Sequence, residues 1–392
     1  MSGFPFLTGV KVLEVTQFAA DSLGGVLADF GADVVKVEPG DRGDPVRYLG
    51  TSAVGGPTGP SFNHLRWNRG KSSICLDLRL DSDARTFMDL SSRADVVIEG
   101  LRPGALGRLG LGWPVLRATN PRLVFASISG LGSSGPYSRL ASHGHLYDAF
   151  AGLLRPDIGS DGEPHRPDRR GIEVGIHAYG LYGAVAVLSA VVRARAEGRG
   201  AYLDVAACDA AVAWMPGAID AMLNADLVVD RADQTAGGAI GGWPRVEFYE
   251  TRDGKVVAFQ AMEDKFWVNF CNAVGRPDLL EQGRIADDAV KHRLWTELRS
   301  VFAARSQAAW LQLYLDADVA GGPVNDIEEL AVDPHFVARF DLYEFDTPAG
   351  TARLLPPPVR VEGERFVPNP PPEVGADGPE VLLRWGDSEQ ST

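Results

Sequence analysis

The sequence predicts a large doubly wound α/β domain and, after it, a smaller α+β domain. Three observations carry this. Short apolar, β-rich runs alternate with helical spacing from residue 10 to residue 129. A polar, glycine-rich stretch at residues 230–242 interrupts the chain. A hairpin signal and mostly helical text follow that stretch.

Residues 10–15 form the first apolar run, ending near Thr16. Residues 22–30 have helical spacing and stop at Gly31, and residues 33–37 are again apolar. Strand, helix and strand in so short a span make a βαβ unit, which begins a parallel sheet. The pattern returns with a strand at 73–78, a helix at 82–92 and a strand at 94–99. A short helix at 115–119 and a strand at 123–129 continue it. Such alternation is Rossmann-like. Residues 178–196 are rich in Ala, Gly and Val and read as a buried helix ending at Gly198, with Arg193 and Arg195 in its last turns. A strand at 201–205 follows. Residues 246–249 and 255–260 flank Arg252-Asp253-Gly254 as a hairpin, and helical text then runs to about residue 317. From residue 354 the chain is proline-rich, hence extended and suited to wrapping a surface. The expected boundaries are 1–222 for the first part of the large domain, 223–325 for the small domain and 326–392 for the tail.

Composition narrows the function. The 392 residues are 45% hydrophobic and 23% charged, with a formal net charge of −14. So acidic a surface repels nucleic-acid phosphates and anionic lipid. The three cysteines, Cys75, Cys208 and Cys271, are scattered and form no CxxC pair, which argues against a disulfide framework or a zinc site. No metal is expected. The opening MSGFPFLTGVKVLEV has no basic stretch before an apolar run, so a cytoplasmic protein is expected. No nucleotide GxGxxG, P-loop, GxSxG or HExxH pattern occurs.

Ligands of doubly wound sheets bind beyond the carboxyl ends of the strands. The first such junction, TQFAADSLGG, offers Gln17 and helix amides, or is a plain turn. Arg69 and Lys71, in RWNRGK, form a basic cluster that suits phosphate or is a solvated loop. Arg102 follows the strand ending at Glu99, on the same sheet edge. The segment SHGHLYD is richest in titratable groups: either His143 is a base at a helix start, with Asp148 one turn on to orient it or act itself, or this is a surface helix start with a stray imidazole. His177 and Glu173 precede the apolar helix and reach toward the same cleft. Glu263 is either a charge favoured by a helix amino end or a group presented to the cleft.

Six segments, in order, carry a resemblance over nearly the whole chain. They are GVKVLEVTQFAADSLGGVLADFGADVVKVEPGDRGDPVR, WNRGKSSICLDLR, ADVVIEGLRPGALGRLGLG, NPRLVFASISGLGSSGPYS, EGRGAYLDVAACDA and DPHFVAR. The sequence resembles the CaiB/BaiF-type family III CoA-transferases, the formyl-CoA and carnitine CoA-transferase group that also contains α-methylacyl-CoA racemase. The resemblance implies a large domain built from both ends of the chain, a small inserted domain and an interlocked homodimer. It implies coenzyme A as cosubstrate, its nucleotide contacting Arg69, Lys71 and Arg102, with residues Gly130 to Tyr137 nearby. It also implies acyl-CoA and carboxylic acid as the small-molecule partners.

In the transferases of this family an aspartate at a helix start attacks the thioester and forms an anhydride. The matching position here is Gly144, and the AGP after the first strand is matched by Ala20-Asp21-Ser22. Three functions are therefore compared. CoA transfer would use Asp148 as nucleophile, one helical turn or about 5.4 Å on. α-Proton chemistry on a 2-methylacyl-CoA would use His143 and Glu263, with His177, Glu173 or Asp148 standing in for an aspartate expected near Gly175 or Ile176. A CoA-ester-binding protein without catalysis would need neither. The stretch GGAIGG at 237–242 is a lid over the thioester or a linker.

Overall fold

The computed structural model describes residues 2–40, 42–49, 59–167, 173–227, 243–284, 287–347 and 350–386. The predicted linker at 230–242, with GGAIGG, lies outside the described residues. The chain divides into two compact units, Met1–Asp220 with Phe340–Thr392, and Ala221–Arg339.

The first unit opens with β1 (Lys11–Thr16), α1 (Asp21–Asp29) and β2 (Asp33–Glu38). α2 (Phe62–Trp67), β3 (Ser72–Cys75), α3 (Asp81–Ser92), β4 (Val96–Gly100), α4 (Ala105–Arg108), α5 (Trp113–Thr119) and β5 (Val124–Ser129) follow. Then come α6 (His145–Phe150), a small hairpin of β6 (Asp157–Ile158) and β7 (Pro164–His165), α7 (Val174–Glu197), β8 (Ala201–Ala206) and α8 (Ala207–Ala213). α9 (Pro216–Leu223) runs across the boundary between the units. Six strands pair in parallel in the order β3–β2–β1–β4–β5–β8. The order reverses between β1 and β4, the switch point at which such sheets bind ligands.

Because successive strand residues point to opposite faces, the sheet feeds two cores. Val12, Val34, Val96 and Val124 pack with Leu23 and Leu27 of α1 and Val187 of α7. Leu13, Val35, Val97 and Phe125 pack with Phe87 and Leu90 of α3, Leu116 of α5, and Val381 and Trp385 of α15 (Gly378–Trp385). α15 is thus the amphipathic end of the second layer, tied down where Trp385 Nε1 donates to Asp33 Oδ2 at 2.7 Å.

The small-residue text of α7 has a packing cause. A Cβ on Gly180 would lie 2.8 Å from Ser22 Oγ, and one on Gly183 would strike Leu23, so only glycine lets α1 approach. Among the described residues α7 is the one helix long and apolar enough to cross a membrane, yet its apolar face is spent on α1, α8, β5 and β8.

After β12 (Tyr343–Thr347) and β13 (Gly350–Leu354), which form a hairpin, the proline-rich chain lies along its own unit. Gly3 N–H donates to Val367 O (3.0 Å), Gly70 N–H to Asn369 O (2.9 Å) and Arg47 Nη1 to Pro372 O (2.8 Å).

The second unit sets an antiparallel sheet of β9 (Val246–Glu250), β10 (Val256–Gln260) and β11 (Gly321–Val324) beside α10 (Asp264–Ala273), α11 (Asp288–Phe302) and α12 (Gln307–Ala317). Phe259, Trp267, Phe270, Phe302 and Trp310 fill its core. The chain returns to the first unit at Phe340, not at residue 326. Between lie α13 (Ile327–Val332) and α14 (Pro334–Arg339), the former started by a reciprocal cap between Asp326 and Glu329. The local Asp-x-x-Glu spacing is the sequence signal of this extension.

Candidate active site

One cavity of about 660 Å³ opens at the switch point. Its walls come from the carboxyl ends of three strands: Gln17 and Phe18 after β1, Leu101 and Arg102 after β4, and Gly130 and Leu131 after β5. His143, Gly144 and Tyr147 close one side, with Glu173 and Ile176 at the start of α7. Gly130 allows this closure, because a Cβ there would collide with Ser142 Oγ and the Tyr147 ring.

A buried charged cluster adjoins the lining residues Phe18 and Ala20. Lys36 reaches inward from β2 and donates to Asp21, to Asp44 Oδ2 (2.8 Å) and to Thr16 O and Oγ1 (3.2 Å each). Asp21 also accepts from Asn68 Nδ2 at 2.8 Å. All four charged or amide side chains are buried. One ammonium serves two carboxylates unequally: burial and the neighbouring Asp21 charge push the Asp44 carboxyl up to about 6. Asp21, although burial opposes its ionisation, is held well below the usual carboxylate range by Lys36.

Asp44 has a second task. Its Oδ1 accepts the N–H of Phe18 at 3.1 Å. Phe18 has φ +55°, a left-handed conformation that a bulky residue adopts only when its surroundings impose it. The ring so placed meets the His143 imidazole edge-on, with centroids 5.8 Å apart.

Behind Phe18, His64 is buried with both ring nitrogens facing donors, Asn68 Nδ2 (3.2 Å) and Arg47 Nη1 (3.4 Å). Burial, then the Arg47 charge, hold its pKa down to about 3. Folding therefore favours the neutral ring. Its contribution to stability is complete above the unfolded pKa of about 6.5 and is lost as pH falls from there toward 3. Asp44, raised in the fold, acts with the opposite sign between about 6 and its unfolded value. The expected result is that His64→Gln, compared with the parent by urea midpoint at each pH, shows a flatter loss of stability from pH 6.5 to 4. Parallel curves would refute it.

The residues singled out from sequence divide sharply. Gln17, Arg102, Gly130 and His143 line the cavity. Arg69 and Lys71 do not. Arg69 is 2% exposed, with Nη2 donating to Asp29 Oδ2 (2.5 Å) and Nη1 to Leu355 O (2.9 Å). Lys71 Nζ donates to Glu14 Oε2 at 2.5 Å and to Asp21 O at 2.9 Å inside the unit. Neither is placed to meet a phosphate, because each neutralises a buried carboxylate. Tyr137 is 57% exposed, edge-on to Phe150, and does not line the cavity. His177 stands exposed on α7 outside the lining. Glu263, at the amino end of α10, belongs to the second unit.

Asp148 is the clearest correction. It is 3% exposed, with Oδ2 accepting from Val174 N–H (3.0 Å) and Oδ1 from Gly175 N–H (2.7 Å). Both oxygens cap α7, and the side chain does not line the cavity. Of the two positions near which the resemblance placed a second base, Gly175 and Ile176, the first has no room for a side chain without a shift: a Cβ would lie 2.8 Å from Tyr147 Cβ.

Comparisons with known proteins identify the family. The family model CoA-transferase family III matches residues 7–378. Succinyl-CoA–D-citramalate CoA-transferase of Chloroflexus aurantiacus is 32% identical over 342 residues, covering 85% of this chain and 82% of the relative. Succinate–glutarate CoA-transferase of Agrobacterium fabrum is 28% identical, over 99% of this chain and 97% of its own. The crystal structure of Rv3272 from Mycobacterium tuberculosis in its orthorhombic form superposes with a TM-score of 0.79 at 27% identity, over 97% of this chain and 99% of that one. Family match, relatives and a switch-point cavity together place the chain in CoA-transferase family III, as an enzyme that transfers coenzyme A.

Proposed function

We propose that the reaction runs in the switch-point cavity, with the CoA moiety entering past Arg102 and the acyl group lying against Phe18, Leu140 and Ile176. The observation that carries this is the cavity itself: it joins an arginine beyond β4 to an apolar wall and a carboxylate, Glu173. Arg102 is the one arginine among its described lining residues, and its fork suits a CoA phosphate. A short dicarboxylic acyl donor is the first to try, since the relatives named above act on succinyl-CoA, citramalate, succinate or glutarate.

The test is incubation of the protein with succinyl-CoA and a panel of glutarate, malate, citramalate and fatty acids, in D₂O, with products followed by mass. New CoA esters that require an added acid support transfer. His143 in the cavity favours a second reading, α-proton exchange, which would appear as deuterium in the acyl group without any acid. Binding of the ester with neither product would mean a protein without turnover.

A homodimer goes with this reading. Leu181, Tyr182, Val185 and Val192 are exposed along α7, and an apolar stripe on a helix otherwise spent on the core suits a second copy. Sedimentation is expected to give twice the 42.0 kDa chain mass, and a single-chain mass would refute the dimer. A cytoplasmic location is consistent with the net charge of −14.

A further inference from the structure

We propose that Glu173 is the nucleophile, its carboxylate standing in the space that the missing side chain at Gly144 leaves open. The inference rests on the CoA-transfer reading above and names the residue that reading lacks.

Gly144 has φ +46° and ψ −116°, the first central position of a type II′ turn, and Leu146 N–H donates across that turn to His143 O at 3.2 Å. That conformation selects glycine and disfavours an aspartate. The room is not empty. A Cβ added at Gly144 would find one heavy atom within 4 Å, Glu173 Oε1 at 3.4 Å. A carboxylate therefore reaches the site from the other wall, carried by the residue that starts α7.

Glu173 is free to do so for a reason elsewhere in the fold. As the residue before Val174 it occupies the capping position, yet its side chain makes no capping bond. The Val174 and Gly175 amides are already taken by Asp148. Asp148 thus does the capping and leaves the Glu173 side chain to line the cavity, half-buried. The Glu173 side chain thus stands at the amino end of this 24-residue helix. His145 Nε2 lies 3.6 Å from Glu173 Oε1, an ion-pair distance, and its buried Nδ1 has no partner. Among the described residues, Glu173 is thus the polar partner of this imidazole.

The chemistry closes without a proton or an outside reagent. A Glu173 oxygen adds to the thioester carbonyl, the C–S bond breaks and CoA leaves as thiolate, giving a mixed acyl–glutamyl anhydride. The thiolate then attacks the glutamyl carbonyl, the anhydride C–O bond breaks, and the donor acid leaves as carboxylate. The glutamyl–CoA thioester so formed is attacked by the acceptor carboxylate, releasing thiolate and a second anhydride. Attack of thiolate on the acceptor's carbonyl yields the new acyl-CoA and restores Glu173. Covalent catalysis of this kind splits one difficult exchange into easier steps.

The experiment uses the whole chain with succinyl-CoA, in the presence of whichever acid supports turnover. Hydroxylamine is added during turnover and the modified peptide is located by mass. Modification at Glu173 is expected. Glu173→Gln, which keeps the shape, should lower the rate on the order of 10³-fold or more and abolish trapping, with CoA-ester binding by calorimetry retained. Turnover within tenfold of the parent, or trapping at another residue, overturns the assignment while leaving transfer intact. Absence of any new CoA ester from the parent removes the transfer reading and the nucleophile with it. Should Glu173→Gln fail to fold, the trapped residue in the parent decides alone.

Discussion

Replacing Lys36 with methionine is expected to destabilise the first unit by about 3–5 kcal/mol. The ammonium is fully enclosed and neutralises Asp21 and Asp44 at once. Removing it leaves two carboxylates side by side in the interior. Glu14 is close enough to feel the loss, since Lys36 also lowers its pKa. Glu14 has little reserve: burial drives its carboxyl upward, its Oε1 has no partner, and Lys71 is its ion pair. The pH dependence supplies a second reading of the same variant. Carboxylates stranded by the substitution bind protons more readily in the fold than in the unfolded chain, so the variant regains stability as pH falls. Urea unfolding at pH 8 and pH 5 is expected to show a large gap from the parent at the higher pH and a smaller one at the lower. A gap under about 1 kcal/mol at pH 8, within the range of an exposed pair, would show that the cluster is not dry. Asp44 also holds the strained Phe18, so a loosened cluster should disturb the cavity as well.

The second large effect is expected at Asp148. Asp148→Ala removes two charge-assisted hydrogen bonds and leaves one buried and one part-buried amide unpaired, which should cost about 2–4 kcal/mol. It should also lower turnover at least about 10²-fold, because a carboxylate misplaced by an ångström at the end of α7 loses its approach to the thioester. Asp148→Asn separates positioning from chemistry. An amide keeps one accepting oxygen and should keep part of both stability and rate. Were Asp148 the nucleophile, Asn and Ala would be equally dead while the fold survived in both. Urea midpoints and initial rates on the two variants distinguish these outcomes.

Much of the fold was legible because it is written in local periodicity. The runs at β1, β2, β4 and β5 are short, β-rich and bounded by helix starts, and each became a strand of one parallel sheet. The site was legible only where backbone position suffices. Gln17, Arg102, Gly130 and His143 sit just beyond strands or in a connecting turn, and any side chain there faces the crevice. Arg69 and Lys71 misled because their partners are remote. Asp29 lies 40 residues before Arg69, and Glu14 lies 57 before Lys71. A basic cluster in sequence therefore says nothing about whether its charge is already answered. The same holds for Asp148, whose two amides are 26 and 27 residues on. The buried cluster does leave one trace in the sequence. Glu14 and Lys36 interrupt apolar strand text, and a charge in a strand buried on both faces must be paired.

The layering of the first unit bears on how the chain is made. β1 to β8 leave the ribosome long before α15, which completes the second core against Phe87 and Leu116 and ties Trp385 to Asp33. Until residues 378–385 emerge, one face of the nascent sheet is without part of its cover. The inserted unit, with its own aromatic core, has all its residues by Arg339 and so has the means to fold in the interval. Synthesis thus leaves the second core waiting on a late helix, and nascent chains stopped before α15 should be held by chaperones or recovered as aggregates.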